Sequence, residues 1–406
     1  MDAQADAIMR QGDELMSKGD SAGALKLYRD ALSIRQNPVE GEAVKMKQER
    51  GVLACDLKIG SILKEQGDLS GALQTYREAL TTAGSLVGQD PEDAEHRREL
   101  ATTNEMIGEV VAAQGDLTSA LRYYEDARVI RRKLAKSDPA NNTWQHDLGL
   151  SEDYIGDLLL AKRDPTHAVE AYERAMDLRE RLAAQKGGDA WQHDVALSYS
   201  KLGDVALTQG SRVEAFKSFG KALDIAEDLA ARNPNDIAWQ RDLSIYQERM
   251  GDVLLERSDL PEALKSFQAA LAIRRRIASR NPANADWQLL LAYGVRDVAQ
   301  VLRKLGRPGE AQPLYGQFRD IADRLAQAHP GDYARQVDRA NARYLVASCW
   351  DNSKEGIQKS IELVTEAVAI LQEVDKSRGL RPRHSSWLTE YASTLEKLKT
   401  FEAEAK

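Results

Sequence analysis

Tryptophan recurs at a near-constant interval in this chain: Trp144, Trp191, Trp239 and Trp287 are 47, 48 and 48 residues apart. Three of them open the same tetrapeptide, Trp144-Gln145-His146-Asp147, Trp191-Gln192-His193-Asp194 and Trp239-Gln240-Arg241-Asp242, and Trp287-Gln288 keeps its first half. A fixed period of this size restricts the fold to one supersecondary unit copied along the chain, each copy burying its apolar face on its neighbours. The 406 residues are therefore not divided into globular domains on length alone.

Twelve residues after each tryptophan comes a small residue, and the column extends upstream: Gly12, Gly60, Gly108, Gly156, Gly203, Gly251 and Ala299. Twelve further on lies Ala24, Ala72, Ala120, Ala168, Ala215, Ala263 or Ala311, and four past that an aromatic, Tyr28, Tyr76, Tyr124, Tyr172, Phe219, Phe267 or Tyr315. A second alanine follows at Ala31, Ala79, Ala127, Ala175, Ala222 and Ala270, with Phe318 breaking the column. In the fifth copy Trp191, Val195, Tyr199, Leu202 and Ala206 fall on one helical face. Gly210 ends that helix, Ser211 is placed to N-cap the next, and Asn233-Pro234 stops it. Turn glycines recur at Gly19, Gly67, Gly115 and Gly306, with Arg163 and Ser258 as exceptions. Pro91, Pro139, Pro234, Pro282 and Pro330 separate the copies, and Gly187-Gly188 replaces one of them. A mid-helix glycine costs about 1 kcal/mol, so its recurrence predicts close helix contact filled by the aromatic of the partner helix.

These columns resemble the tetratricopeptide-repeat signature, over roughly residues 6–330. The usual period is about 34 residues, so this spacing implies lengthened helices, similar to kinesin light chains and to bacterial arrays joined to signalling domains. The resemblance implies an all-α, right-handed superhelical solenoid of antiparallel helix pairs. About seven clear repeats are followed by an atypical unit anchored at Ala347, in which Ser360, Val364 and Ala367 fill the second-helix columns. The expected division is a solenoid over 1–383 and a capping helix over 384–406, since a terminal repeat must face water on one side.

Composition narrows the function. A net charge of −8 disfavours nucleic acid, which needs a basic face to displace counterions. Cys55 and Cys349 form no CxxC or disulfide framework and read as packing residues, so a reducing, cytoplasmic location is expected. The acidic N-terminus predicts no secretory leader, and no apolar run is long enough to span a membrane.

In the resembled family the first helices line the concave surface, so a binding face should follow positions three before and one, four and five after the small column. Glu105, Asp153 and Glu248 stand three before, and Glu109, Asp157, Asp204 and Asp252 one after. Leu160, Leu207 and Leu255 make an apolar row, Arg98, His146, His193 and Arg241 a rim, and Arg296, Arg303 and Lys304 reverse the sign in the seventh repeat. Two readings stay open: a groove for a protein or peptide with a Lys/Arg-rich segment, or acidic and basic rows pairing between neighbouring first helices. The same positions in the repeats that clamp a chaperone's terminal carboxylate carry Lys and Asn, so that subtype is not expected. Arg131-Arg132-Lys133 and Arg274-Arg275-Arg276, echoed by Arg179 and Arg181, read as a solvated convex face. No catalytic residues, cofactor or metal site are expected: His146 and His193 do not supply the ligands zinc needs. The leading function is a non-catalytic interaction scaffold or adaptor. Alternatives are a regulatory or sensor subunit of a separately encoded effector enzyme, and a self-assembling structural protein.

Overall fold

The computed structural model describes residues 2–37, 41–351 and 353–404, and these contain seventeen α-helices and no strand. The chain divides into two compact units, Met1–Gln209 and Gly210–Lys406. The first holds α1 (Asp2–Ser17), α2 (Ser21–Arg35), α3 (Glu42–Glu65), α4 (Leu69–Gln89), α5 (Ala94–Ala113), α6 (Leu117–Ser137), α7 (Asn142–Ala161), α8 (Pro165–Lys186) and α9 (Asp189–Thr208). The second holds α10 (Arg212–Arg232), α11 (Ile237–Glu256), α12 (Leu260–Arg280), α13 (Ala285–Lys304), α14 (Pro308–Ala328), α15 (Tyr333–Ala347), α16 (Lys354–Arg378) and α17 (Pro382–Glu404). Within each unit every helix packs on the one before and the one after it.

The small column does what its recurrence predicts. A Cβ built on Gly12, Gly60, Gly108 or Gly156 would lie 2.4, 2.3, 2.9 or 2.5 Å from the tyrosine of the same repeat, Tyr28, Tyr76, Tyr124 or Tyr172. The second helices bury one stripe each; in α6 it is Ala120, Tyr124, Ala127, Arg131 and Leu134. The eighth repeat buries Ser360, Val364 and Ala367 as expected, and α17 lays Tyr391 and Leu395 into the same core. That last helix begins at Pro382 rather than at 384, because proline's fixed φ suits a helix start.

Helix ends account for two further columns. Asp20, Asp68, Asp116, Asp164 and Asp259 each accept a backbone N–H from the first turn of the second helix they precede. Ser211 holds the same position without a side-chain bond. At its ψ of 70° the longer carboxylate reaches, whereas Ser353 caps from a ψ of 156°. The glutamine after the tryptophan turns back: Gln145, Gln240 and Gln288 donate to the carbonyls of Ala135, Ala230 and Ala278 at 2.8, 3.1 and 3.5 Å, and Gln336, which follows Arg335, donates likewise to Ala326 at 3.2 Å. Those oxygens end the preceding helix and have no partner within it. The tryptophan fills the space beside them, as Trp144 does against Ala135, Leu148 and Leu178.

The turn glycines Gly19, Gly67 and Gly115 have φ of 82°, 83° and 92°, and Arg163 and Ser258 are held at 62° in the same turn. A side chain there is strained by about 1–2 kcal/mol, partly offset by the greater unfolded entropy of glycine. Ser258→Gly is therefore expected to stabilise the second unit by roughly 0.5–1 kcal/mol. Thermal melting checks this, and an unchanged or lowered Tm refutes it.

Candidate partner-binding faces

Three of the arginines expected on a solvated convex face are core residues, while Lys133, Arg181, Arg275 and Arg276 are exposed as expected. Arg131, Arg179 and Arg274 are 5%, 1% and 1% exposed, because each falls on the buried stripe of its helix, four residues after the second alanine. Each reaches an acid three before the small column: Arg131 bonds Glu105 at 2.5 Å, and Arg179 and Arg274 bond Asp153 and Glu248. They also tie in further helices. Arg131 donates to the Asp147 carbonyl at 2.7 Å and Arg179 to the Ser198 hydroxyl at 2.7 Å, while Ser151 donates to Glu105 at 2.7 Å. Where the second helix carries alanine instead, at Ala83, Ala226 and Ala322, the position three before the small column is Leu57, Ser200 or Arg296. From the second repeat to the seventh, acid and arginine thus come and go together, a signal present in the sequence columns, whereas in the first Arg35 faces Met9 in that column and pairs with Asp6 instead. Burial pushes the Glu105 and Asp153 carboxyls up, and the facing guanidiniums oppose it. Glu105 and Asp153 are inaccessible, 8% and 5% exposed, and Glu248 is bonded to Arg274.

The acids one after the small column stand further out. Asp157 accepts the Tyr172 hydroxyl at 2.5 Å and Lys201 of α9 at 2.6 Å. Asp13 repeats this with Tyr28 at 2.6 Å and Lys58 of α3 at 2.7 Å. Glu109 takes Lys64 from the preceding first helix at 2.8 Å, with its side chain 57% exposed. Of the rim, Arg98 bonds Asp147 at 2.7 Å, and His146 and His193 lie 3.3 and 3.8 Å from Asp194. Burial opposes ionisation of Asp194, but the histidines overcome it and hold its carboxyl well below the usual range. Leu160 and Leu207 are half-buried, Leu160 against Ala168 and Tyr172.

In the second unit, burial pushes Asp252 up to about 7, helped by the Glu248 and Asp297 carboxylates, although its side chain is 41% exposed. Arg296 pairs with Asp297 at 2.8 Å and lies over the Tyr293 ring at 4.7 Å. Arg241 lies 3.4 Å from Asp242. Arg303 is exposed and Leu255 half-buried. The rows that looked like one continuous groove are thus in large part paired between neighbouring helices.

A second polar row lies four before the small column. Glu152, 2% exposed, gathers Arg174 at 2.9 Å, Arg132 at 3.4 Å and Arg128 at 3.6 Å. Asp56 occupies the same place two repeats earlier, but Glu78, Gln36 and Leu32 stand where those arginines would be. It is 2% exposed, and its Oδ1 has no hydrogen-bond partner. Burial and the Glu78 charge push its carboxyl up to about 7. An unfolded aspartate titrates near 3.9, so the fold prefers the protonated form. The associated stability is complete below about pH 4 and is lost as pH rises to about 7. Asp56→Asn is expected to melt above the parent at pH 8 and together with it at pH 4. Equal melting at both would show that the charge carries no cost.

No family model matches the chain, and no curated protein matches it in sequence. Solved structures do match in fold. The apo form of RapI superposes with a TM-score of 0.58 at 12% identity, covering 99% of this chain and 97% of that one. Aspartyl phosphate phosphatase F from Bacillus subtilis gives 0.51 at 13% identity, covering 98% and 93%. A Signal Transduction ATPase with Numerous Domains protein with a tetratricopeptide repeat sensor, from Pyrococcus horikoshii, gives 0.49 at 12%, covering 92% and 52%. The fold is that of a tetratricopeptide-repeat solenoid. At these identities the likeness shows the fold alone. No helix among the described residues is long and apolar enough to cross a membrane.

Proposed function

We propose that the chain is a non-catalytic interaction scaffold that takes a polypeptide segment on its first-helix faces, with α17 as the cap of the second unit. The observation that carries this reading is what stays open after the internal pairs are counted. On α5 and α7, Glu109 and Tyr154 remain exposed beside the half-buried Met106, Ala112 and Leu160. An exposed aromatic beside apolar residues and an accessible acid is the composition of an anchor point for a segment with cationic and apolar side chains. In the second unit Arg303 and Lys304 give the matching face the opposite sign. A regulatory subunit of a separate enzyme would use the same faces and differ only in what its partner does.

The test is selection of short peptides from a random library on the full chain, followed by hydrogen exchange with and without a selected peptide. Protection is expected on first helices, α5 and α7 foremost. No selectable peptide, or protection confined to second helices, sinks the reading.

A further inference from the structure

The lysine ladder of the first unit is interrupted at two steps, and we infer that the one that keeps its acid is a subsite for a lysine or arginine side chain presented by a partner polypeptide. The inference rests on the interaction reading above and names the chemistry of one anchor.

Where the ladder is complete, three groups meet: a repeat's tyrosine, its acid one after the small column, and a lysine from the next first helix. Lys58 Nζ lies 5.4 Å from the Tyr28 ring centre and 2.7 Å from Asp13. Lys201 Nζ lies 5.1 Å from the Tyr172 ring centre and 2.6 Å from Asp157. Each ammonium sits on the negative face of a ring and beside a carboxylate, so cation–π attraction and ion pairing act together.

The two intermediate steps differ. Around Tyr76 the acid is Ser61 and the lysine position is Met106, so neither charge is present. Around Tyr124 the acid remains, as Glu109, while the lysine position holds Tyr154. Tyr154 stacks on Tyr124 with centroids 5.5 Å apart and planes 15° from parallel. It is 40% exposed, which makes it an aromatic platform in the place where an ammonium would lie. Lys64 reaches Glu109 from the other side, and the carboxylate stays open to solvent. The nearby Arg131 is committed to Glu105 inside the core. This step therefore offers a ring face, and a half-exposed carboxylate that Lys64 pairs with, but not the cation that in two sister steps lies over the ring from the next first helix. A cationic side chain on a bound segment completes the arrangement. An anionic one would meet Glu109 and Asp157 on the same face.

Tyr154→Lys copies Lys58 and Lys201, so it is expected to keep the fold, place its ammonium by Tyr124 and Glu109, and close the subsite from within. Glu109→Gln removes the charge at an exposed side chain. The probes are the peptides selected on the full chain, each remade with its Lys or Arg replaced by norleucine. In wild type, norleucine at one position should weaken binding about tenfold. In Tyr154→Lys and Glu109→Gln, melting as cooperatively as the parent, the cationic and norleucine forms should bind alike. Peptides that keep a cation preference in both variants, or show none in wild type, overturn the subsite and leave the interaction reading standing. Failure to select any peptide removes both. A dimer that dissociates on Tyr154→Lys would put a second copy's cation at the platform and overturn the separate partner.

Discussion

Arg179→Met is expected to destabilise the first unit by about 3–5 kcal/mol, because it strands a buried carboxylate. Asp153 is 5% exposed and faces Arg179, and the same guanidinium bonds Ser198 of α9. Methionine fills much of the space but leaves the acid and the hydroxyl without a donor. Urea unfolding measures the loss. Hydrogen exchange should place it in α7, α8 and α9, since in repeat arrays stability is the sum of local and nearest-neighbour terms. A loss below about 1 kcal/mol would mean that water reaches Asp153 readily.

The companion experiment transplants the solution that another repeat already uses. Leu53, Leu57 and Ala83 pack together where Gly149, Asp153 and Arg179 stand two repeats later. A Cβ built on Gly149 would lie 3.9 Å from Arg179 Nε. Gly149→Leu, Asp153→Leu and Arg179→Ala together should recover most of the stability that Arg179→Met loses, because a buried ion pair replaced by well-packed apolar residues is often neutral or stabilising.

Gly60→Ala is expected to cost about 1–3 kcal/mol through overpacking, even though alanine is the better helix former by about 1 kcal/mol. Its Cβ would lie 2.3 Å from the Tyr76 ring, which is 1% exposed and has nowhere to move. Gly108→Ala should cost less, since its Cβ comes no closer than 2.9 Å to Tyr124. The seventh repeat carries Ala299 in this column beside a fully buried Tyr315, so alanine is tolerated where the ring sits back. Chemical denaturation of the two variants decides it. Equal costs, or a gain for Gly60→Ala, would show that the tyrosine relaxes freely.

The charged rows were the hardest feature to read from sequence. Arg131 stands in the run Arg131-Arg132-Lys133, and a run of cations looks solvated. Its helical phase with Ala120, Tyr124 and Ala127 puts it in the core, and the acid opposite appears only in repeats that have the arginine. Both signals are in the sequence, but hydrophobic periodicity is silent at a charged residue on an apolar stripe. Tyr154 carries no signal in the sequence for another reason. Its meaning depends on Lys58 and Lys201 reaching back to a neighbouring repeat, and no spacing within one helix reveals that.

The helix pairs, their period, the glycine–aromatic contacts and most of the turns are legible along the chain. Those follow from local propensity and from packing that repeats in register, so each copy confirms the others. Which charges neutralise one another and which still face solvent emerges from the packed helices. Pairing between side chains depends on distances across neighbouring helices, and a linear pattern records position along a helix but not the gap between two of them.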